Sequence, residues 1–414
     1  MPLTVRLCLL ALAVVACAAP PAATQEFDPR PRSLAQLVDD PALRTQLLTC
    51  DATHPKPTRF VIGHRGAPLE YAEHTVESYT AAARQGAGLI ECDVTFTADG
   101  ELVCRHAPCD LASTTNILQT PLADRCEVPF RRAEINALNQ IASPAFAKCC
   151  TSALTLAEFR TLTGRQERVN PRAFTVDQYL APPAVTGTLL SHADSIALID
   201  ALGADFAPEL KAPDPELGYD DTGLTDTRYA DLLIEAYVEA GVPPERVRAQ
   251  SFRRRDLEHW LARFPAYGGR AVWLDGRYET DDFDPENPAS WNPSMSELAA
   301  IGIQTIAPPL WVLLGQDDER IVPSAYARAA TVQGFDLITW TIERSGSLSE
   351  GGGWYYQTVT PVIDNDGDVY VALRALRDDV GVSAVFSDWP ATITYFEQCV
   401  PRPEPPTETE HEQD

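Results

Sequence analysis

Gly63-His64-Arg65-Gly66 closes an apolar run, Phe60-Val61-Ile62, and sets an imidazole beside a permanent cation. Glu91-Cys92-Asp93 follows, and Cys104-Arg105-His106 then supplies a second imidazole. Residues two apart in a strand face the same side, so Glu91 and Asp93 can offer oxygens to one hard cation. Glu209-Leu210-Lys211 repeats that spacing with a carboxylate and an amine. Glu91, Asp93 and Glu209 are candidate metal ligands, because acids inside apolar strands are costly unless a cation compensates them. Salt bridges to Arg65 and Lys211 are the plainer alternative. Two histidines, an arginine and a carboxylate-bound metal are what hydrolysis of a phosphodiester requires. The cation and Arg65 would hold the phosphoryl group, while His64 and His106 exchange protons with the attacking and leaving oxygens. All-oxygen ligation favours Ca²⁺ or Mg²⁺ over zinc.

These groups need rigid carriers. Strand-like apolar runs recur at 60–62, 88–96, 205–211, 246–252, 271–274, 302–307, 335–342 and 382–388, with helix-like segments such as 75–84, 228–240 and 256–263 between them. Such alternation argues for a parallel sheet, and eight strands suggest a (β/α)₈ TIM barrel, α/β in class, spanning 51–399. The polar motifs mostly fall at C-terminal strand ends, where barrels build their sites. Residues 107–195 exceed one strand–helix unit and are rich in cysteine and proline. They read as an insertion over the barrel mouth, with a separate small disulfide domain as the alternative. A second excursion, 345–368, could form part of a substrate rim. Asp364-Asn365-Asp366-Gly367-Asp368 looks like a calcium loop, but its glycine is misplaced and Ala375 stands where the bidentate Glu belongs, so a turn is expected.

The chain has 414 residues, is 45% hydrophobic and carries a formal charge of −26. That charge argues against nucleic acid, whose binding rests on basic patches, and against an anionic membrane surface. An anionic substrate must be drawn in locally, by the cation with Arg65 and Lys211. Residues 2–16 form an apolar run too short to span a bilayer and shaped like a secretory signal. Val14-Val15-Ala16-Cys17 resembles a lipobox, which would put a lipid on Cys17 and attach the exported chain to a membrane; ordinary cleavage near 20–23 is the alternative. Periplasmic, outer-membrane and secreted locations all follow from such a start. Residues 1–17 are thus a signal, 18–50 a tether and N-terminal segment with Pro/Ala-rich 18–32 at its start, and 400–414 a disordered acidic tail. Eight cysteines remain beyond the signal, and an even number in an exported chain suggests disulfides. Cys50 and Cys399 flank the strands, so a bridge between them would tie the barrel's ends. Most of those from Cys104 to Cys150 would pin the insertion. No Cys-x-x-Cys pair points to zinc.

The ordered series His64-Arg65-Gly66, Glu73-His74-Thr75, Glu91-Cys92-Asp93, Asp99-Gly100, His106 and Glu209-Leu210-Lys211 resembles the glycerophosphodiester phosphodiesterase family. Gln250-Ser251-Phe252, Trp340-Thr341 and Ser387-Asp388-Trp389-Pro390 resemble its later strand ends, so the likeness runs from about 60 to 398. His74 departs from the family's Asn, and Ala107 from the Asp that often follows the second histidine. The resemblance implies a TIM barrel, a divalent cation, a histidine acid–base pair, and conversion of a small glycerophosphodiester into glycerol 3-phosphate and an alcohol. It leaves open which histidine is the base and whether water or a glycerol hydroxyl attacks. Arg65 and Lys211 would contact phosphate, Glu73 metal or glycerol hydroxyls, and Trp340 either walls the glycerol pocket or belongs to the core. His54, His74, His192, His259 and His411 receive no role, and Asp388-Trp389-Pro390 reads as closure of the last turn. The rivals are a sphingomyelinase D-like or lysophospholipase D-like lipid headgroup enzyme, which would need an apolar rim, and a non-catalytic binding lipoprotein.

Overall fold

A computed structural model of the chain describes residues 26–180, 185–219 and 222–403. The signal segment with Cys17, and the tail from 404 onward, lie outside these residues. Eight strands form the barrel: β1 Thr58–Gly63, β2 Ala87–Phe96, β3 Asp205–Leu210, β4 Gln250–Ser251, β5 Val272–Leu274, β6 Thr305–Ala307, β7 Asp336–Ile342 and β8 Ala384–Ser387. Each pairs in parallel with the next, and β8 returns to β1 through Val61↔Val385 and Gly63↔Ser387. All eight coincide with apolar runs in the sequence. Two short helices precede the barrel, α1 Arg30–Leu37 and α2 Pro41–Thr49. A helix then follows each strand: α3 Val76–Arg84, α4 His192–Ala201, α5 Asp226–Glu239, α6 Arg254–Arg263, α7 Met295–Ile301, α8 Ala325–Gln333, α9 Asp368–Arg374 and α10 Pro390–Cys399. Several start at side-chain caps, such as the reciprocal Ser191/Asp194 pair of α4 and Ser294/Glu297 pair of α7.

Period-two alternation decides what enters the lumen. Ile90, Cys92 and Val94 of β2 join the apolar layer between strands and helices, whereas Leu89 joins an inner cluster with Ile62, Ala207, Ile338, Ala384 and Phe386. Glu91 and Asp93 continue the Leu89 face. By the same count His64 follows Ile62, Glu209 follows Ala207, Trp340 follows Ile338 and Asp388 follows Phe386. The inner apolar cluster is a floor, and the polar groups stand on it at the C-terminal end. Parallel register lines up Asp93 with Glu209, and Glu209 with Gln250.

Two segments differ from the sequence reading. The Pro/Ala stretch expected as a tether to residue 32 is already helical from Arg30, because Leu34, Ala35, Leu43 and Leu47 bury against the barrel's last helices. Tyr370 and Tyr395 lock α1 and α2 down by donating to the carbonyls of Pro31 and Leu47. The insertion ends before His192, where α4 begins as an ordinary barrel helix. The insertion has its own apolar cluster, including Leu111, Ile117, Leu154, Phe159 and Tyr179, yet Val103 and Leu189 join that cluster from the barrel side. It sits on the C-terminal loops through Gln166 to Leu69 O, Lys148 to Asp214 and Glu167 to Arg344.

All eight cysteines beyond the signal are paired. Cys50–Cys399 ties the barrel's ends as expected. Cys109–Cys150 and Cys126–Cys149 pin the insertion, and Cys92–Cys104 joins β2 to its return strand, Leu102–Cys104. Asp364–Asp368 is a turn, in which the Asp368 carboxylate accepts from the Asp364 and Asn365 amides. No helix among the described residues is long and apolar enough to cross a membrane.

Candidate active site

Glu91, Asp93 and Glu209 converge on the lumen, each with a carboxylate oxygen within 4.8 Å of the others'. All three are buried. Burial, with Asp93 and Glu209 beside it, pushes the Glu91 carboxyl well above its ordinary pKa, and burial likewise lifts Glu209 to about 7. The Asp93 Oδ1 atom is buried without any hydrogen-bond donor. An orphaned carboxylate oxygen amid three mutually repelling acids is a donor set that fits a hard divalent cation. Other oxygens of the cluster are held in place. Glu91 accepts from the Arg65 amide at 2.9 Å and from Gln250 Nε2 at 3.0 Å. Glu209 pairs with Lys211 Nζ at 2.7 Å.

The His64-Arg65-Gly66 turn places two groups at once. Arg65 adopts φ +54° and Gly66 φ +96°. A Cβ on Gly66 would come within 2.3 Å of Ser78 Oγ and 2.8 Å of the Ser78 carbonyl carbon, so only glycine fits. Ser78 Oγ instead accepts from the Ala67 amide and donates to Arg65 O. The Arg65 guanidinium reaches Glu73 at 2.9 Å and Asp93 at 3.8 Å. Glu73 lies between Arg65 and Arg105, which hold its carboxyl well below the usual range. Its oxygens face these guanidinium groups, and it stands apart from the three-carboxylate cluster.

Asp388, expected from the sequence to close the last strand–helix turn, also faces the site. His64 Nδ1 meets Asp388 Oδ1 at 2.5 Å, and Arg344 Nη1 donates to Asp388 Oδ2 at 2.9 Å. His64 and Arg344 hold Asp388 below the usual carboxylate range. An ionised Asp388 can only accept, so Nδ1 carries the proton and the free lone pair is on Nε2, 3.9 Å from Glu91. Burial pushes the His64 pKa down to about 4 despite Asp388. The signal for Asp388 was present, two residues beyond inward-facing Phe386. Nothing in the sequence pointed to Arg344.

His106 follows the return strand, half-buried. Burial and the nearby Arg65 and Lys211 cations hold its pKa well below the ordinary value. Asp93 and Glu73 act on it in the opposite sense, so it belongs to the same charge cluster as His64. The Ala107 amide donates to Asp110, which fixes the loop where the family's Asp is missing. His74, given no role from sequence, is fully buried at φ +55° and contacts Asp93 Oδ2 at 2.9 Å and Tyr79 Oη at 2.9 Å. Arg105 was also missed. It is buried beneath the site, where its Nη2 donates to Glu73 O. Trp340 packs on the barrel floor, donates to Ala307 O, and is partly exposed at the mouth.

A model of the Glycerophosphoryl diester phosphodiesterase family matches residues 64–392. A relative from Arthroderma benhamiae, named "Extracellular protein", is 37% identical over 243 residues, covering 56% of this chain and 97% of that one. A Mycobacterium tuberculosis protein named "Probable glycerophosphodiester phosphodiesterase 1" is 49% identical over 55 residues, 13% of this chain and 19% of its own length. A solved structure from Silicibacter pomeroyi, assigned to the same phosphodiesterases, superposes with a TM-score of 0.52 at 19% identity, over 83% of this chain and 94% of that one. It shares the barrel fold. With a family match across most of the barrel, the chain belongs to the Glycerophosphoryl diester phosphodiesterase family.

Proposed function

We propose that this protein is an exported, divalent-cation-dependent phosphodiesterase that cleaves small glycerophosphodiesters to glycerol 3-phosphate and an alcohol. The observation that carries the reading is the buried Glu91–Asp93–Glu209 cluster, with its orphaned Asp93 oxygen, beside the His64–Asp388 pair. Glu91, Asp93 and Glu209 would hold Ca²⁺ or Mg²⁺, which when bound would neutralise phosphoryl charge. Arg65 and Lys211 add positive charge where the phosphodiester anion sits. Glu73 orients Arg65 rather than taking a place at the metal.

His64, its Nδ1–H committed to Asp388, takes the proton of the attacking hydroxyl at Nε2. A new bond forms from that oxygen to phosphorus, and the bond from phosphorus to the alcohol oxygen breaks; attack by water gives glycerol 3-phosphate directly, whereas attack by a glycerol hydroxyl gives a cyclic phosphate that water then opens to the same product. His106 gives the departing alkoxide its proton. Burial and then the Arg65 and Lys211 cations lower the His106 pKa; an anionic substrate between these groups offsets the cations' share and so favours the protonated acid. The paired cysteines fit an oxidising compartment, which supports export and a role in scavenging phosphate and carbon outside the cytoplasm. Membrane attachment through Cys17 is part of the proposal.

The test is hydrolysis of glycerophosphocholine, with Ca²⁺, with Mg²⁺ and with chelator, reading out glycerol 3-phosphate. Cation-dependent release is expected. Cleavage of lysophosphatidylcholine alone would move the assignment to a lipid headgroup enzyme, and silence on both with metal bound would leave a binding protein.

A further inference from the structure

The mouth of the barrel carries aromatic rings that the reaction does not need. Phe252 follows β4, Tyr278 follows β5, Trp340 is in β7, and Trp354 and Tyr355 lie in the excursion after it. Trp340 and Trp354 stack at 26° with centroids 5.9 Å apart, and the other rings stand at steep angles to this pair. Trp354 and Tyr355 meet at 86° with centroids 5.0 Å apart, Trp340 and Tyr355 at 81° and 6.2 Å, and Phe252 and Trp340 at 81° and 6.1 Å. Tyr278 meets Trp340 at 63° and Trp354 at 68°. Phe252, Tyr278 and Tyr355 thus stand as walls around the stacked Trp340–Trp354 pair.

Three observations separate this cluster from ordinary core. Trp354 leaves 44% of its surface in solvent and Phe252 36%, unlike the buried rings behind the strands. The arginine–ring contacts of the described residues fall elsewhere, for example Arg277 over Trp273 and over Tyr326. The rings also border the charged centre. Burial raises both tyrosine phenols; Glu279 and then Glu209 add to it at Tyr278, while at Tyr355 Arg344 and Arg65 oppose it and Asp388 and Glu91 add to it.

Ring faces are electron-rich, and steeply set rings receive an organic cation better than a neutral or anionic group. The formal charge of −26 favours the same choice, since a substrate with a cationic alcohol is a neutral zwitterion rather than an anion. We infer that Phe252, Tyr278, Trp340, Trp354 and Tyr355 form a subsite for the alcohol half of the diester, and that this alcohol carries a quaternary ammonium group, as choline does. The inference rests on the phosphodiesterase reading and deepens it.

Two measurements test it. The first compares kcat/KM for glycerophosphocholine with that for glycerophosphoglycerol, in the natural protein and in Trp354→Leu, which keeps apolar bulk at an exposed position. The choline-to-glycerol ratio should exceed one and fall by about 2- to 30-fold in the variant. A ratio near one in the natural protein, or unchanged in the variant, overturns the inference while leaving the phosphodiesterase reading intact. The second is independent of turnover. Choline and its uncharged isostere 3,3-dimethylbutan-1-ol are titrated while tryptophan fluorescence is followed. Saturable binding of choline alone, weakened in Trp354→Leu, is expected even if no diester is cleaved. Equal binding of both, or of neither, overturns the cation subsite.

Discussion

Replacing Asp388 with Asn should disable the site through one proton. Asp388 serves two donors, His64 Nδ1 on Oδ1 and Arg344 Nη1 on Oδ2. An Asn has one oxygen for both. Arg344 is permanently charged, so the amide oxygen turns to it and the NH₂ group faces His64. Nδ1 must then accept, the ring proton moves to Nε2, and the lone pair needed for proton abstraction is gone. General base catalysis contributes roughly 100- to 10,000-fold, so kcat should fall by about that factor with KM little changed. The assay is glycerol 3-phosphate release at saturating cation. A second variant sharpens the test. In Asp388→Asn with Arg344→Met nothing holds the amide oxygen away from His64, so the amide can flip and part of the lost kcat should return. A single variant within about threefold of the natural rate, or a double variant no faster than the single one, would refute the tautomer argument.

Cation binding should raise Tm, because it relieves repulsion within Glu91, Asp93 and Glu209; at a hundredfold excess over Kd the gain is about 2.7 kcal/mol. Glu91→Gln should remove most of that shift in a calorimetric scan, and a full shift would sink the ligand assignment. His74→Ala should weaken cation affinity about 10- to 100-fold by freeing Asp93, while His74→Asn, suited to the positive φ, should retain more of it; isothermal titration separates them. Burial lowers the His192 pKa to about 4 from an ordinary value of 6.5. The unfolded chain therefore binds the extra proton first as pH falls. Stability tied to this group is full above the unfolded value and is lost as pH drops to about 4, a total of about 3 kcal/mol. His192→Leu should flatten that part of the acid limb in urea titrations from pH 7 to pH 4, and an unchanged slope would show that the group does not contribute.

Much of the barrel was readable because parallel strands, covered on both faces, must be continuous apolar runs, and eight such runs lie between helical stretches. The carboxylate cluster was readable for the same reason, since acids at two-residue spacing stand out in those runs. Asp388 obeyed the spacing but was hidden by a turn that looked merely structural. His74 was passed over because a contact with Asp93 depends on how two loops cross, which local spacing does not encode. The docked α1 and α2 pair was hidden by the proline-rich stretch before it, since the apolar surface that binds Leu34 and Leu47 belongs to helices at the other end of the chain.

Local order along the chain thus determined the strand count, the inward positions of Glu91, Asp93 and Glu209, and the glycine after Arg65, because each follows from backbone periodicity and steric limits over a few residues. Tertiary structure alone decided that Asp388 and Arg344 stand behind His64, that Glu73 pairs with Arg65, that His74 contacts Asp93, and that rings from four parts of the chain meet at the mouth. Those relations join residues far apart in sequence, and only closure of the barrel brings them within hydrogen-bonding or ring-contact distance.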